Sequence, residues 1–316
     1  MRRSEAHRLD AAAAASERLK LEYEDYLRVQ RGLAERSIYH CWRFADRFLT
    51  FRFKGGAHDF GKLTPADIAA YLQHLTSRRT PFRDKTPPTH LRNFFQFLFK
   101  SGRTKVNLAP SVPRVAQRHR STLPRYLAPE QVERLIAAVR AEPVVGRRNH
   151  AMVLLLARLG LRAAEVIAIQ LDDIDWRAGE LLIRGKGQLH DRLPLPPDVG
   201  EAVADYVRQN RPATTSRALF VRVRKPHAPF AHAQMLNHIL ADAFEKTGLK
   251  PPARYIGSHI LRHSLATNMV RRGASLAEIG DVLRHRSRAS TMIYAKLDVE
   301  GLRSVAQEWP TDGGAS

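Results

Sequence analysis

A stretch with neither helical nor strand periodicity separates the chain into two halves, and this separation limits the folds open to it. Residues 101–126 contain six Lys or Arg, three Pro and no acidic residue, which is typical of a basic, extended connector. Each flanking segment is long enough to bury its own core. We therefore predict a helical domain over residues 15–105, a linker over 106–126, a second domain over 127–308 and a disordered tail over 309–316.

The first half shows the apolar spacing of three and four that is typical of amphipathic helices. The spacing predicts a bundle of four helices, and we expect the aromatic residues of the fourth to pack in its core. One face of the second helix carries four basic side chains, at Arg36, His40, Arg43 and Arg47. This basic stripe fits either a solvated surface or a helix laid along DNA phosphates.

The second half is also mainly helical, but it contains one β element. Residues 180–184 and 192–195 predict two strands joined by a glycine-containing turn. Helical patterns precede and follow this hairpin, and the last two predicted helices cover residues 290–295 and 299–307. The predicted fold class is therefore mostly α, with a small β-hairpin or sheet in the second domain.

Charge and cysteine content narrow the classes of function. The chain has 52 Lys and Arg against 31 Asp and Glu, a net charge of +21 and a pI near 10.8, which indicates a nucleic-acid partner. A single cysteine, Cys41, excludes an intramolecular disulfide framework and a Cys-based zinc site. The N-terminal residues show no signal-peptide core, and the longest apolar stretch, residues 151–157, is too short to cross a bilayer. We therefore expect a cytoplasmic protein without a membrane partner.

Five polar residues of the second half are candidates for a reactive site. Arg162 lies three residues before Glu165, a spacing at which the carboxylate can hold the guanidinium. Lys186 stands between two glycines at the hairpin tip, and His285 precedes Tyr294 by nine residues. Each also has an ordinary interpretation when considered alone: a surface ion pair, a solvated turn lysine or a packed aromatic ring.

A histidine pair in the same half raises the question of a metal site. His259 shares one helix face with Arg262 and with His263, a spacing that metal ligands also use. The zinc-protease pattern requires Glu directly after the first histidine, where this chain has Ile260. We therefore predict no metal at this position.

The order of these residues resembles the catalytic signature of the tyrosine recombinase family, also called the phage integrase family. The resemblance covers residues 125–308, and the N-terminal bundle is similar to the core-binding domain of that family. It implies a catalytic set of Arg162, Lys186, His259, Arg262, His285 and Tyr294, supported by Glu165. We assign DNA contacts to the basic stripe and the region near the linker, namely to Arg36, His40, Arg43, Arg47, Arg92, Arg118 and Arg120.

The resemblance implies a specific chemistry. Tyr294 attacks a DNA phosphodiester, and the guanidiniums of Arg162 and Arg262 bind the negative charge that develops. His259 acts as a general base for the tyrosine proton or stabilises the charge, and Lys186 protonates the 5′ oxygen that leaves. The product is a 3′-phosphotyrosyl intermediate that retains the energy of the broken bond, so neither metal, ATP nor another cofactor is implied.

The resemblance also implies the remaining roles and the assembly. His285 completes the phosphate contacts and Glu165 orients the site. The expected partner is double-stranded DNA at the nucleoid, around which the two domains of a chain form a C-shaped clamp. Strand exchange is expected in a homo-tetramer on DNA, with or without a second recombinase or directionality factor.

Two positions depart from the family pattern, and two other functions stay open. Arg284 stands where the family usually has Gly, and Ala128 replaces the usual Ser or Thr cap. A type IB topoisomerase shares the chemistry but relaxes supercoils as a monomer, and a DNA-binding accessory protein would have lost catalysis. The amphipathic segment over residues 297–305 fits docking on a neighbouring subunit or packing on its own domain.

Overall fold

The structure is a computed structural model that describes residues 2–77, 86–113, 124–185, 190–252, 257–285 and 287–297. The chain divides into two compact units, Met1–Arg118 and His119–Ser316. Each unit buries a hydrophobic cluster of its own, as expected for two domains.

The described part of the first unit is a helical bundle. Its α-helices are Arg2–Asp25 (α1), Glu35–Phe53 (α2), Pro65–Ser77 (α3) and Thr86–Lys100 (α4). Aromatic rings from different helices meet in its core: Tyr23 and Phe94 lie edge to face at 5.2 Å, and Phe48 and Phe95 at 5.1 Å. The aromatic residues at the centre of α4 are buried, which confirms the predicted packing.

Part of the predicted linker belongs to the first core. Leu108, Ala109 and Val112 are buried in the bundle. Nη2 of Arg92 donates a hydrogen bond to the carbonyl oxygen of Pro113 at 2.8 Å, which fixes this stretch to α4. Three apolar residues without a regular period are too few for the sequence to predict this packing.

The described part of the second unit combines eight helices with one sheet. Its α-helices are Pro129–Arg140 (α5), Gly146–Arg158 (α6), Ala163–Ala168 (α7), Pro197–Gln209 (α8), Met235–Thr247 (α9), His259–Arg271 (α10), Leu276–Val282 (α11) and Arg288–Thr291 (α12). Its strands are Ile174–Asp175 (β1), Glu180–Arg184 (β2) and His190–Pro194 (β3). The fold is therefore mostly α with a small sheet, as predicted.

The sheet is antiparallel in the order β1-β2-β3. The register places Leu181 opposite Leu193 and Ile183 opposite Asp191. Leu181 and Ile183 are buried in the core of the second unit, so the alternation along β2 sets which face packs inward. The β2–β3 hairpin was predicted, whereas β1 was not, because two residues carry no readable period.

The chain around Tyr294 differs from the predicted helix over residues 290–295. Helix α12 ends at Thr291, and a 3₁₀ turn covers Ala295–Leu297, so Tyr294 lies between the two. Its backbone N–H donates to the carbonyl of Thr291 at 2.9 Å. This tighter turn accompanies a ring that is buried with Ile279 and other apolar residues of α10 and α11.

Some predictions fall outside the described residues. These are Lys186 at the hairpin tip, Arg118 and Arg120 in the linker, and all segments beyond residue 297, including the predicted last helix and tail. Among the residues that are described, no helix is long and apolar enough to cross a membrane.

Candidate functional site

The site begins with the predicted ion pair at the start of α7. Arg162 precedes the helix, and its backbone N–H donates to Oε2 of Glu165 at 2.8 Å while its Nη1 donates to Oε1 at 2.6 Å. The Glu165 side chain is 10% exposed, but that of Arg162 is 43% exposed. The carboxylate therefore holds one edge of the guanidinium and leaves the rest free to bind an anion.

A second guanidinium, that of Arg262 on α10, is buried and joins two loops. It donates to the backbone carbonyls of Gly160 and Leu283. Gly160 has a φ of +57°, which strains any residue with a side chain, and a Cβ there would lie 2.7 Å from Cδ2 of Leu283 and displace that side chain. Burial, followed by the charge of Arg162, lowers the pKa of Arg262 to about 10. Arg262 therefore stays charged at neutral pH.

Arg284 occupies the turn after α11 and brings a third guanidinium to the site. The backbone N–H of Arg284 donates to the carbonyl oxygen of Asp281, and the backbone N–H of His285 donates to that of Gly280. These two bonds form a Schellman motif at the helix end, where glycine is usual. Arg284 has a φ of +52°, a left-handed conformation that costs about 1–3 kcal/mol for other residues. The turn thus keeps its form despite the departure from glycine, and the side chain is free to serve another purpose.

Glu165 accepts from this third guanidinium as well. Nη2 of Arg284 lies 2.8 Å from Oε2 of Glu165. Burial alone raises the pKa of the Glu165 carboxyl, but the hydrogen bonds from Arg162 and the charge of Arg284 outweigh it and hold that pKa below its usual value. Glu165 is therefore ionised at neutral pH.

Tyr294 is buried and faces His263. Its Oη lies 2.6 Å from Nδ1 of His263, and the residue is only 1% exposed. Burial raises the pKa of Tyr294 to about 12 despite the nearby charge of Arg262. Burial, with His259 and Arg262, lowers the pKa of His263 to about 4. At neutral pH the protonated tyrosine therefore donates to a neutral imidazole.

This contact was missed by the sequence analysis. From the sequence, His263 was considered only as a possible metal ligand, and His259 was the residue predicted to assist Tyr294. In the structure His259 lies at the start of α10, and His263 contacts Tyr294 instead. The two contacting residues are 31 positions apart, so no sequence spacing could have indicated their pairing.

Positive charge dominates the whole cluster. Nδ1 of His285 forms a hydrogen bond of 2.9 Å with Oγ1 of Thr291. Burial, then the charges of Arg262 and Arg162, lowers its pKa to about 4, and the same causes lower the pKa of His259. A bound anion would offset the positive charge of the arginines and so favour protonation of both His285 and His259. No group of three or more His, Cys, Asp or Glu that could hold a metal ion occurs among the described residues.

Acidification from pH 7 to pH 4 is expected to destabilise the fold through His263 and His285. Their folded pKa values are about 4, whereas an unfolded histidine titrates near 6.5. The unfolded chain therefore binds more protons in this window, and stability is lost as the pH falls through 6.5 towards 4. The loss is on the order of 2–3 kcal/mol for His263 and smaller for His285, whose charge is screened by solvent. Urea unfolding at a series of pH values measures the loss.

The variant His263→Gln provides the comparison for this titration. It should show a shallower decline of unfolding free energy between pH 6.5 and 4.5 than the wild type. Glu165, whose pKa is lowered, adds its own loss only below about pH 4.5. Equal slopes for the two proteins would show that His263 is not held neutral.

The predicted DNA contacts of the first unit fall into two groups. Arg36, Arg43 and Arg47 are exposed along α2, and His40 is partly exposed. The opposite face of α2 packs in the core, so the basic stripe faces solvent. Arg92 instead donates to backbone carbonyls of residues 112 and 113, which gives this guanidinium a structural role.

Comparison with known proteins identifies the family of this chain. Residues 125–300 match the model of the phage integrase family, and this segment holds every residue of the cluster. The chain belongs to the phage integrase family. This phage integrase family member is 40% identical over 302 residues to the putative integrase/recombinase y4rA of Sinorhizobium fredii (strain NBRC 101917 / NGR234), with 96% of this chain and 73% of the relative covered.

Other relatives and solved structures agree with the assignment. Tyrosine recombinase XerC of Bacillus subtilis (strain 168) is 25% identical over 295 residues, 89% of this chain and 92% of XerC. Two solved structures share the fold. XerH site-specific recombinase bound to a palindromic difH substrate gives a TM-score of 0.68 at 18% identity, with 94% of this chain and 97% of XerH covered. A lambda integrase dimer bound to a COC′ core site gives a TM-score of 0.64 at 16% identity, with 94% of this chain and 80% of lambda integrase covered. The chain thus belongs to the tyrosine recombinases/integrases, a family of enzymes that carry out site-specific recombination.

Proposed function

We propose that this phage integrase family member cuts and rejoins double-stranded DNA through a covalent 3′-phosphotyrosyl bond to Tyr294, without metal or ATP. The observation that carries the proposal is the convergence of two guanidiniums, those of Arg162 and Arg262, on the cluster that contains the Tyr294 hydroxyl. XerH and lambda integrase in their DNA complexes support DNA as the substrate. The net charge of +21 fits the same partner.

The cleavage step balances without a cofactor. Oη of Tyr294 forms a bond to the phosphorus as the bond from phosphorus to the 5′ oxygen breaks, and the 5′ hydroxyl leaves. The five-coordinate state carries extra negative charge, which Arg162 and Arg262 bind through paired N–H donors. One phosphodiester is exchanged for another, so the reverse attack by a 5′ hydroxyl rejoins DNA without an energy source.

Two protons must move in this step. Tyr294 has a raised pKa of about 12, so a base is needed at neutral pH. His263 accepts its hydrogen bond, and His259 is predicted to act as the general base or to stabilise the charge. The leaving 5′ oxygen requires an acid, the role predicted for Lys186 on the tip between β2 and β3.

Attack by the 5′ hydroxyl of a second duplex converts rejoining into strand exchange. We propose that this exchange takes place within a homo-tetramer on DNA at the cytoplasmic nucleoid, with or without a second recombinase or directionality factor. The exposed basic stripe of α2, Arg36 to Arg47, supports contact of the first unit with phosphates. His285 is proposed to complete the contacts to the scissile phosphate.

Replacing Lys186 with Ala is expected to slow cleavage of an ordinary phosphodiester by about 10²–10⁴-fold, the usual contribution of a general acid. A substrate with sulfur in place of the bridging 5′ oxygen should restore the rate, because a thiolate leaves without protonation. Single-turnover cleavage of both substrates measures the ratio. An equal loss on both would remove Lys186 from the acid role.

The proposal is tested by trapping a covalent complex in EDTA. The protein is incubated with a pool of nicked duplexes that includes DNA flanking its own gene, because a nick lets the short fragment that carries the 5′ hydroxyl escape and so blocks rejoining. A denaturant-resistant adduct is expected, and sequencing its DNA identifies the site. Site-specific footprints without any adduct would instead support a DNA-binding accessory protein, and relaxation of plasmids that lack the site would support a topoisomerase.

A further inference from the structure

Arg284 is unusual because its backbone and its side chain have opposite requirements. The backbone adopts a left-handed φ of +52° at a helix end, where glycine is the favoured residue. The side chain is nevertheless only 9% exposed. A residue kept in an unfavourable conformation with a buried charge requires a compensating interaction.

The contacts of the guanidinium identify that interaction. Nη2 of Arg284 lies 2.8 Å from Oε2 of Glu165, whose side chain is 10% exposed. Nε lies 3.7 Å from Oδ2 of Asp191 on β3, whose side chain is 46% exposed. Nη1 is buried and has no hydrogen-bond partner among the described residues. The close and buried contact is therefore the one to Glu165.

Glu165 is held from two sides as a result. Its Oε1 accepts from Nη1 of Arg162, and its Oε2 accepts from the backbone of Arg162 and from Arg284. Without Arg284, Oε2 loses its charged donor and keeps only the backbone N–H of Arg162, so the carboxylate is held less firmly and takes up a proton more readily. The Arg162 guanidinium, which is held by this carboxylate, would then lose its fixed direction.

We propose that Arg284 is a positioning residue for strand cleavage, which acts by locking the Glu165 carboxylate and through it the Arg162 guanidinium. This inference rests on the proposed function, because it concerns the step in which Arg162 binds the scissile phosphate. The competing explanation is that Arg284 merely occupies the turn. Glycine distinguishes the two, since it suits the backbone better and removes the guanidinium.

The test compares Arg284→Gly with the wild type in single-turnover adduct formation at saturating DNA. We expect thermal stability equal to or above that of the wild type, and a cleavage rate lower by about 10–100-fold, the usual effect of losing a group that orients a site. His227→Gly is the matched control, since His227 also has a left-handed φ, of 55°, and should cleave at the wild-type rate. Arg284→Asn, which also tolerates this conformation, replaces the glycine variant if that one does not fold.

Two further readouts distinguish positioning from a structural role. Millimolar guanidinium ion should restore cleavage by Arg284→Gly in a saturable manner, because it can fill the vacated site beside Glu165, and should leave His227→Gly unaffected. The charge of Arg284 lowers the pKa of Glu165, so its removal raises that pKa. The acid side of the rate profile should therefore shift to higher pH in Arg284→Gly.

The outcomes separate this inference from the proposed function. If the wild type forms the adduct and Arg284→Gly matches it in rate and pH profile, the positioning role alone is overturned. A slow variant that guanidinium does not rescue and whose pH profile is unchanged overturns it too. If the wild type itself forms no adduct, the proposed reaction fails, and the role of Arg284 in that reaction fails with it.

Discussion

Replacing Tyr294 with phenylalanine is expected to abolish the covalent DNA adduct while the fold and DNA binding remain. The ring is 1% exposed and packs in an apolar cluster, and phenylalanine fills the same space. The lost hydroxyl is the attacking group, so adduct formation should fall by four orders of magnitude or more, as on loss of other nucleophiles. His263 loses its partner at a cost of about 1 kcal/mol. Denaturing gels measure the adduct and a mobility-shift assay measures binding.

Tyr206→Phe is the control for this substitution. Tyr206 is fully buried in the second unit, and its hydroxyl accepts only a long hydrogen bond of 3.4 Å from the backbone of Val221. This variant should form the adduct as the wild type does. Retention of the adduct by Tyr294→Phe would show that another residue attacks the phosphate.

Arg262→Lys is expected to have the second largest effect, although it preserves the charge. The guanidinium donates to the carbonyls of Gly160 and Leu283, and an ammonium on a single stem cannot bridge both positions. One buried acceptor is left unpaired, at a cost of about 1–3 kcal/mol. Loss of paired donors to the transition state adds a fall in cleavage rate of about 10²–10³-fold.

The comparison for Arg262→Lys is Arg217→Lys. Arg217 pairs with Asp172 at the surface, and both side chains are more than half exposed. The cleavage rate and the stability of Arg217→Lys should therefore match those of the wild type. Urea unfolding and single-turnover adduct formation supply the two measurements. Wild-type cleavage by Arg262→Lys would show that charge alone suffices and that the fork geometry is not used.

Local sequence predicted the helices because the responsible interactions are local. Helix α3 begins at Pro65, and the N–H of Thr64 donates to the carboxylate of Asp67 at 2.9 Å, a cap formed within four residues. Strand β1 and the packing of residues 108–112 were not predicted. Both depend on contacts with distant elements, and neither segment is long enough to show a period.

The same distinction applies to the candidate site. The Arg162–Glu165 pair follows from a spacing of three residues, and the structure has it at 2.6 Å. The contact between His263 and Tyr294 joins α10 to the turn after α12, which no spacing reveals. Arg284 was a departure from a motif in the sequence, and only the fold shows that its side chain reaches Glu165.

Mass spectrometry of the trapped DNA adduct identifies the residue that attacks the phosphate. After nuclease and trypsin digestion, we expect the peptide of residues 289–296 to carry a residual nucleotide. Fragmentation should place the added phosphate on Tyr294 and not on Ser290 or Thr291 in the same peptide. A phosphate bond to any other residue, or DNA cleavage without a covalent link to the protein, would show that Tyr294 is not the nucleophile.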